Sequence, residues 1–202
     1  MIQRGFLSLW LIFFAVASHA QEGPNRPEPK PLALDAKSTA ILVLDVSARC
    51  HDPKQVCHKL APPLGEFLEK ARAASVPVIY SVSASAKGTP LGEVAAPLKR
   101  RDSETVVYPD AFDKFTGGEL QALLKEKGAK TLVVTGASTN SAVLYTATTA
   151  ARMHRYNVVI PMDGVVAASK YEQEYSLHQF TVLPSEANKL FQFSNLGLIT
   201  FK

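Results

Sequence analysis

Residues 130–160 read KTLVVTGASTNSAVLYTATTAARMHRYNVVI. Lys130–Thr135 is a continuous apolar run of strand length. Asn140–His154 reads as a helix rich in Ala and Thr, and Asn157–Ile160 is a second apolar run. Strands that are apolar throughout, joined by a helix, belong to a parallel sheet covered on both faces. The same alternation continues on either side. Upstream, Thr39–Asp45 (TAILVLD) and Val76–Val82 (VPVIYSV) read as strands. Between them Leu64–Ala74 reads as a helix, with Pro62 and Pro63 suited to its start and Leu64, Phe67, Leu68 and Ala71 on its buried stripe. Glu119–Lys127 is a short helix closed by Gly128. Ser83–Thr105 has no clear period and reads as a long loop with a helical turn. Downstream, Tyr171–Phe180 is a helix and Leu198–Phe201 a short final strand. These readings give an α/β domain over residues 39–202.

The composition agrees with one α/β domain. The chain has 202 residues, 47% hydrophobic and 20% charged, so it is neither disordered nor a coiled coil. Its net charge of +4 comes from 22 basic and 18 acidic residues scattered along the chain, which is no nucleic-acid footprint. Lys99-Arg100-Arg101 lacks interleaved aromatics and reads as a solvated surface.

The N-terminus sets the compartment. A short basic start ends at Arg4, Gly5–Ala17 is almost wholly apolar, and Ser18-His19-Ala20 places small residues before Gln21. Such a pattern is a secretory signal peptide over residues 1–20 with cleavage after Ala20. The apolar stretch is shorter than the roughly 20 residues that cross a bilayer. A periplasmic or secreted protein with no membrane anchor after cleavage is expected. Residues 21–38 carry Pro24, Pro27, Pro29 and Pro31 and read as an extended linker.

In parallel α/β sheets ligands bind at the carboxyl ends of the strands. Asp45, Gly136–Ala142 and Asp163 all fall at such ends. There the chain resembles the isochorismatase-like cysteine hydrolases, which include isochorismatase, nicotinamidase and N-carbamoylsarcosine amidohydrolase. The matching pieces are AILVLDV (40–46), ARAASVPVIYS (71–81), GGELQALLKEKGAKTLVVTGASTNSAVLYTATTAA (117–151) and YNVVIPMDGVVA (156–167). The resemblance implies a three-layer α/β/α fold with a mainly parallel, doubly wound sheet, a small-molecule substrate or ligand, and self-association of the kind common among relatives. It also implies a site of Asp, Lys and Cys. Asp45 matches the Asp. The Thr-Asp-x-Cys-Val pattern of the nucleophile reads Thr139-Asn140-Ser141-Ala142-Val143 here, so Ala142 stands at the nucleophile position. The family Lys precedes a Phe. Aligning that Phe to Phe112 puts it near Val106, aligning it to Phe115 puts it near Pro109, and neither register supplies a Lys.

Alanine cannot form the covalent intermediate of amide-hydrolysing relatives. Ser141 is one residue, about 100° of helix rotation, away from that position, and serine near a helix start commonly caps backbone donors. The isochorismatase branch offers another route: hydrolysis of an enol ether with Asp as general acid, which Asp45 can serve if apolar walls raise its pKa. The helix start at Asn140 offers free N–H groups to an anion. Thr139, Asn140, Ser141 and Tyr145 are therefore the expected pocket residues around Asp45 and Ala142. Two functions follow: non-covalent acid/base hydrolysis through Asp45, or a pseudoenzyme that binds a small molecule. No cofactor or metal is expected, because the Asp-x-His metal pattern of nicotinamidases is absent.

Cys50-His51 and Cys57-His58 form the most unusual local feature. Export favours a Cys50–Cys57 disulfide pinning the loop after Asp45. A metal site using both Cys and both His, and a migrated Cys nucleophile, are the alternatives. Asp163 is expected to fix its turn through backbone bonds. His154 and His178 are expected to be packed or surface residues.

Overall fold

The computed structural model describes residues 26–202. The expected signal peptide and the first residues of the expected linker lie outside the described residues.

The strands form where the apolar runs predict them. β1 is Leu32–Leu34, β2 Thr39–Leu44, β3 Val78–Ser81, β4 Thr105–Val107, β5 Thr131–Ala137, β6 Asn157–Pro161, β7 Val165–Val166, β8 Phe191–Ser194 and β9 Ile199–Phe201. The helices are α1 Ala61–Ala73, α2 Glu119–Glu126, α3 Leu144–Arg152 and α4 Lys170–Val182. Every residue of β2 is buried, as a strand covered on both faces requires. The main sheet runs β4-β3-β2-β5-β6-β8, with β7 paired to β5, and all its pairings are parallel. Strand order therefore reverses between β2 and β5. That switch point is where an open α/β sheet leaves a crevice.

Alternation along the strands splits the core into two. Ala40, Leu42, Leu44, Leu132 and Val134 face α2, α3 and α4, through Leu120, Leu124, Ala147, Ala150, Leu177 and Phe180. Ile41, Val43, Val133 and Val159 face α1, through Leu64, Phe67, Leu68 and Ala71. The result is the three-layer, doubly wound α/β arrangement.

Three parts differ from the expectation. Residues 30–36 are not a free linker. β1 pairs in parallel with β9, Lys30 N–H donates to Phe193 O, and Ala36 N–H donates to Lys202 O. The prolines end at Pro31, so the chain beyond it keeps its N–H donors and can join a ladder. β4, β7 and β8 were hidden because each is short or carries polar positions. The helix expected from Asn140 begins instead with a π-helical turn at Thr139–Val143, and α3 follows.

Candidate active site

β2 and β5 end side by side, with Leu44 opposite Gly136. The approach is so close that a Cβ on Gly136 would lie 2.1 Å from Leu44 O, and its φ is +119°. Glycine is required there. The residue after β2, Asp45, has φ +55°. Its N–H donates to Ser81 O at 3.0 Å, and Ser81 Oγ donates to its Oδ1 at 3.4 Å. The remaining oxygen, Oδ2, meets the Lys114 ammonium at 2.8 Å. The Lys114 side chain is 2% exposed and that of Asp45 17%.

Lys114 answers the missing lysine. It comes from neither Val106, which lies in β4, nor Pro109, but from the turn after Phe112. Helix α3 aims it. Lys114 N–H donates to Thr146 Oγ1 at 3.0 Å, and Thr146 Oγ1 in turn donates to Phe112 O. Thr149 Oγ1 donates to Asp113 Oδ2 at 2.7 Å, while Asp113 Oδ1 accepts from Phe115 N–H. Thr146 and Thr149 are three apart and share a helix face. The unusual Thr content of this helix thus fixes the loop that carries the cation. Lys114 Nζ also donates to Ala111 O. Burial pushes the Asp45 carboxyl above the ordinary aspartate range, and Lys114, Ser81 and Arg49 oppose the rise without cancelling it.

A cavity of about 680 Å³ opens on this pair. Its polar wall is Asp45, Ser47, Arg49, Ser83, Ser85, Thr89, Asp110 and Lys114, and its apolar wall is Val82, Ala86, Leu91, Ala111 and Phe112. Phe112 is 64% exposed and stacks on Tyr145 with centroids 6.2 Å apart.

The residues expected around the start of the third helix do not line this cavity. Ala142 is 1% exposed and packs in the core with Leu44 and Val143. Thr139 Oγ1 donates to Gln173 Oε1 at 2.7 Å. Ser141 Oγ donates to Ser138 O at 3.4 Å, so it does not cap the backbone donors of this turn as expected. Asn140 is half-buried. Tyr145 reaches the mouth only by stacking behind Phe112. The π-helical turn directs this segment at α4, and the 83–92 and 110–114 loops build the wall in its place.

Cys50 and Cys57 form a disulfide. They are the only two cysteines of the chain, so no free thiolate remains for metal binding or nucleophilic attack. His58 Nδ1 contacts Cys50 O, and His51 Nε2 accepts from Ala96 N–H. Among the described residues no group of three or more His, Cys, Asp or Glu side chains is placed to hold a metal ion. Asp163 Oδ1 accepts from Leu196 N–H at 2.7 Å, so it ties its turn to a distant segment. His154 is exposed and packs against Phe115.

The isochorismatase domain model matches residues 39–187. The chain belongs to the isochorismatase family. A curated relative, the secreted isochorismatase effector Isc1 of Verticillium dahliae, is 24% identical over 145 residues, covering 67% of this chain and 76% of that protein. Among solved structures, an isochorismatase family protein from Burkholderia thailandensis is 24% identical with a TM-score of 0.69, covering 84% of this chain and 96% of the other. N-carbamoylsarcosine amidase from Thermoplasma acidophilum is 20% identical with a TM-score of 0.65, covering 79% and 96%. At these identities the solved structures share the fold. In this chain the Asp45 rim stands at the switch point of the sheet.

Proposed function

We propose that this isochorismatase-family chain is an exported hydrolase that cleaves a small molecule by acid/base chemistry at Asp45, without a covalent intermediate. The observation that carries this reading is the Asp45–Lys114 pair on the wall of a substrate-sized cavity, in a chain whose two cysteines are joined to each other. Thioester chemistry needs a free thiolate, whereas protonation of an enol ether needs only a held proton. Burial keeps the Asp45 proton on the carboxyl to a higher pH than in water.

Asp45 gives its proton to the terminal vinyl carbon. The ether carbon becomes an oxocarbenium ion, and the new carboxylate is held by the Lys114 ammonium 2.8 Å away. Water adds to that carbon and returns a proton to Asp45. The resulting hemiketal splits its C–O bond, so enol ether and water become alcohol and ketone. Lys114 thus stabilises the charge that appears on Asp45 only after proton transfer. Export is supported by the leader pattern of residues 1–20, the disulfide and the secreted relative.

The test is a panel of enol ethers and small amides offered to the mature chain and to Asp45→Asn. Enol ether turnover should fall by about 100-fold or more in the variant, the scale of lost general acid catalysis. Equal turnover by variant and parent on every substrate refutes the mechanism. Ligand binding without turnover of any panel member would instead support a pseudoenzyme of the same fold.

A further inference from the structure

We infer that Arg49 is the specificity-determining residue of this cavity, taking a carboxylate of the substrate, and that the Cys50–Cys57 disulfide is the clamp that holds it in place. This rests on the cavity being the site proposed above, and deepens that reading to a substrate class: a small carboxylate with an apolar body.

Four side chains lining the cavity are ionisable: Asp45, Arg49, Asp110 and Lys114. Asp45 and Lys114 are spent on each other. Among the described residues Arg49 makes no ion pair with Asp45, Asp110 or any other carboxylate. Arg49 is exposed and lines the cavity, and its guanidinium is a fork of donors, the group best matched to a carboxylate. In the same lining, Leu91 and Phe112 supply apolar surface for the rest of the ligand.

Arg49 lies in a single 3-10 turn, Ala48–His51, an element too short to hold a fixed direction by itself. The disulfide closes the next residue, Cys50, onto Cys57. Both cysteines are buried against Leu60 and Leu64 at the α1 end. Ala48 N–H donates to Glu93 O, and His51 Nε2 accepts from Ala96 N–H. The turn is therefore fastened to α1 on one side and to the 93–96 loop on the other.

The probe is benzoate, with benzamide as its neutral counterpart, titrated into the oxidised mature chain by calorimetry or NMR. Benzoate should bind more tightly than benzamide. Arg49→Gln should weaken benzoate about tenfold or more and leave benzamide unchanged, and Arg49→Lys should restore part of the loss. Cys50→Ser with Cys57→Ser should weaken benzoate by a smaller factor while near-ultraviolet circular dichroism reports a folded core. In turnover, Arg49→Gln should raise KM with kcat little changed. Benzoate affinity unchanged in Arg49→Gln, or benzamide binding as well as benzoate, overturns the inference. An unchanged KM in Arg49→Gln with turnover intact overturns it while leaving the hydrolase reading standing. Arg49-dependent benzoate binding with no turnover supports it and removes the hydrolase reading.

Discussion

Replacing Lys114 with Met tests the central pair directly, because the side chains are similar in length and only the charge is lost. At 2.8 Å and an effective dielectric constant of about 20, the two charges attract by about 6 kcal/mol. Much of that attraction offsets the cost of burying the ammonium, which Lys114→Met also removes. What remains is a carboxylate with 17% exposure and no counter-ion. Some water reaches it, so the cost above neutral pH should be about 3 kcal/mol, at the low end for a broken buried pair. Loss of the counter-ion pushes the Asp45 carboxyl further up in the variant. The sign follows from linkage. Asp45 is already raised in the folded parent and is raised more in the variant, so both folded values lie above the unfolded one. Below the parent's value both proteins hold the proton, and the pH-dependent difference is zero. As pH rises through the two folded values the variant loses stability relative to the parent, by at most about 1.4 kcal/mol per pH unit, and then reaches a plateau. Urea unfolding of parent and variant from pH 4 to 8, followed by near-ultraviolet circular dichroism, measures this. The double variant Asp45→Asn, Lys114→Met should show no such pH dependence. A parent–Lys114→Met difference that stays flat across the range refutes the ionic pair.

A second buried cation should behave with the opposite pH sign. Arg72 donates to both carboxylate oxygens of Glu104, to Glu69, to the Tyr80 hydroxyl and to Leu98 O. Burial alone would raise the Glu104 carboxyl, but the Arg72 and Arg101 contacts win and hold it below the usual range. Its stabilisation is present above the unfolded glutamate pKa and is lost as pH falls through the folded value; Arg72→Met should cost about 3–5 kcal/mol at pH 7 in urea unfolding and flatten that acid limb. Replacing both Cys50 and Cys57 with Ser should lower stability by about 2.5 kcal/mol in the chain-entropy relation, read as a fall in Tm; an unchanged Tm would mean that neighbouring contacts alone hold the loop. Cleavage after Ala20 removes Trp10, the only Trp, so the exported protein should show tyrosine emission alone, and a tryptophan signal from it would place the cut elsewhere or nowhere.

The fold was legible because it is written in one repeated signal. Apolar strands buried on both faces carry no competing message, and TAILVLD, VPVIYSV, KTLVVT and NVVI all became central strands. The structure departs from the sequence reading where the local pattern is short or mixed. β4 and β8 hold three and four residues, too few for alternation to show. β1 is preceded by prolines, and its pairing with β9 joins residues 165 or more apart in sequence, a contact no local window can contain. Asp45 was found because it ends the most uniform strand at the switch point, where the topology itself directs ligands.

Lys114 shows why the rest of the site was harder. A lysine placed by a strand keeps a fixed spacing from its neighbours, and alignment recovers it. Here the cation comes from a loop, and its position is set by two threonines on a helix more than thirty residues away. The signal was present, but in another segment: the Thr-rich face of α3 had no purpose until the loop it binds was seen. Anchoring the loop through its backbone and through Asp113 leaves the Lys114 side chain free to point at Asp45 from a new position. A carboxylate at a fixed strand end requires only that some ammonium reach it, and a cavity wall built from loops can supply that ammonium from more than one place. The fixed member of such a site is therefore the acid, while the cation and the anion-binding Arg49 belong to segments whose sequence can drift as long as a helix face or a disulfide still holds them.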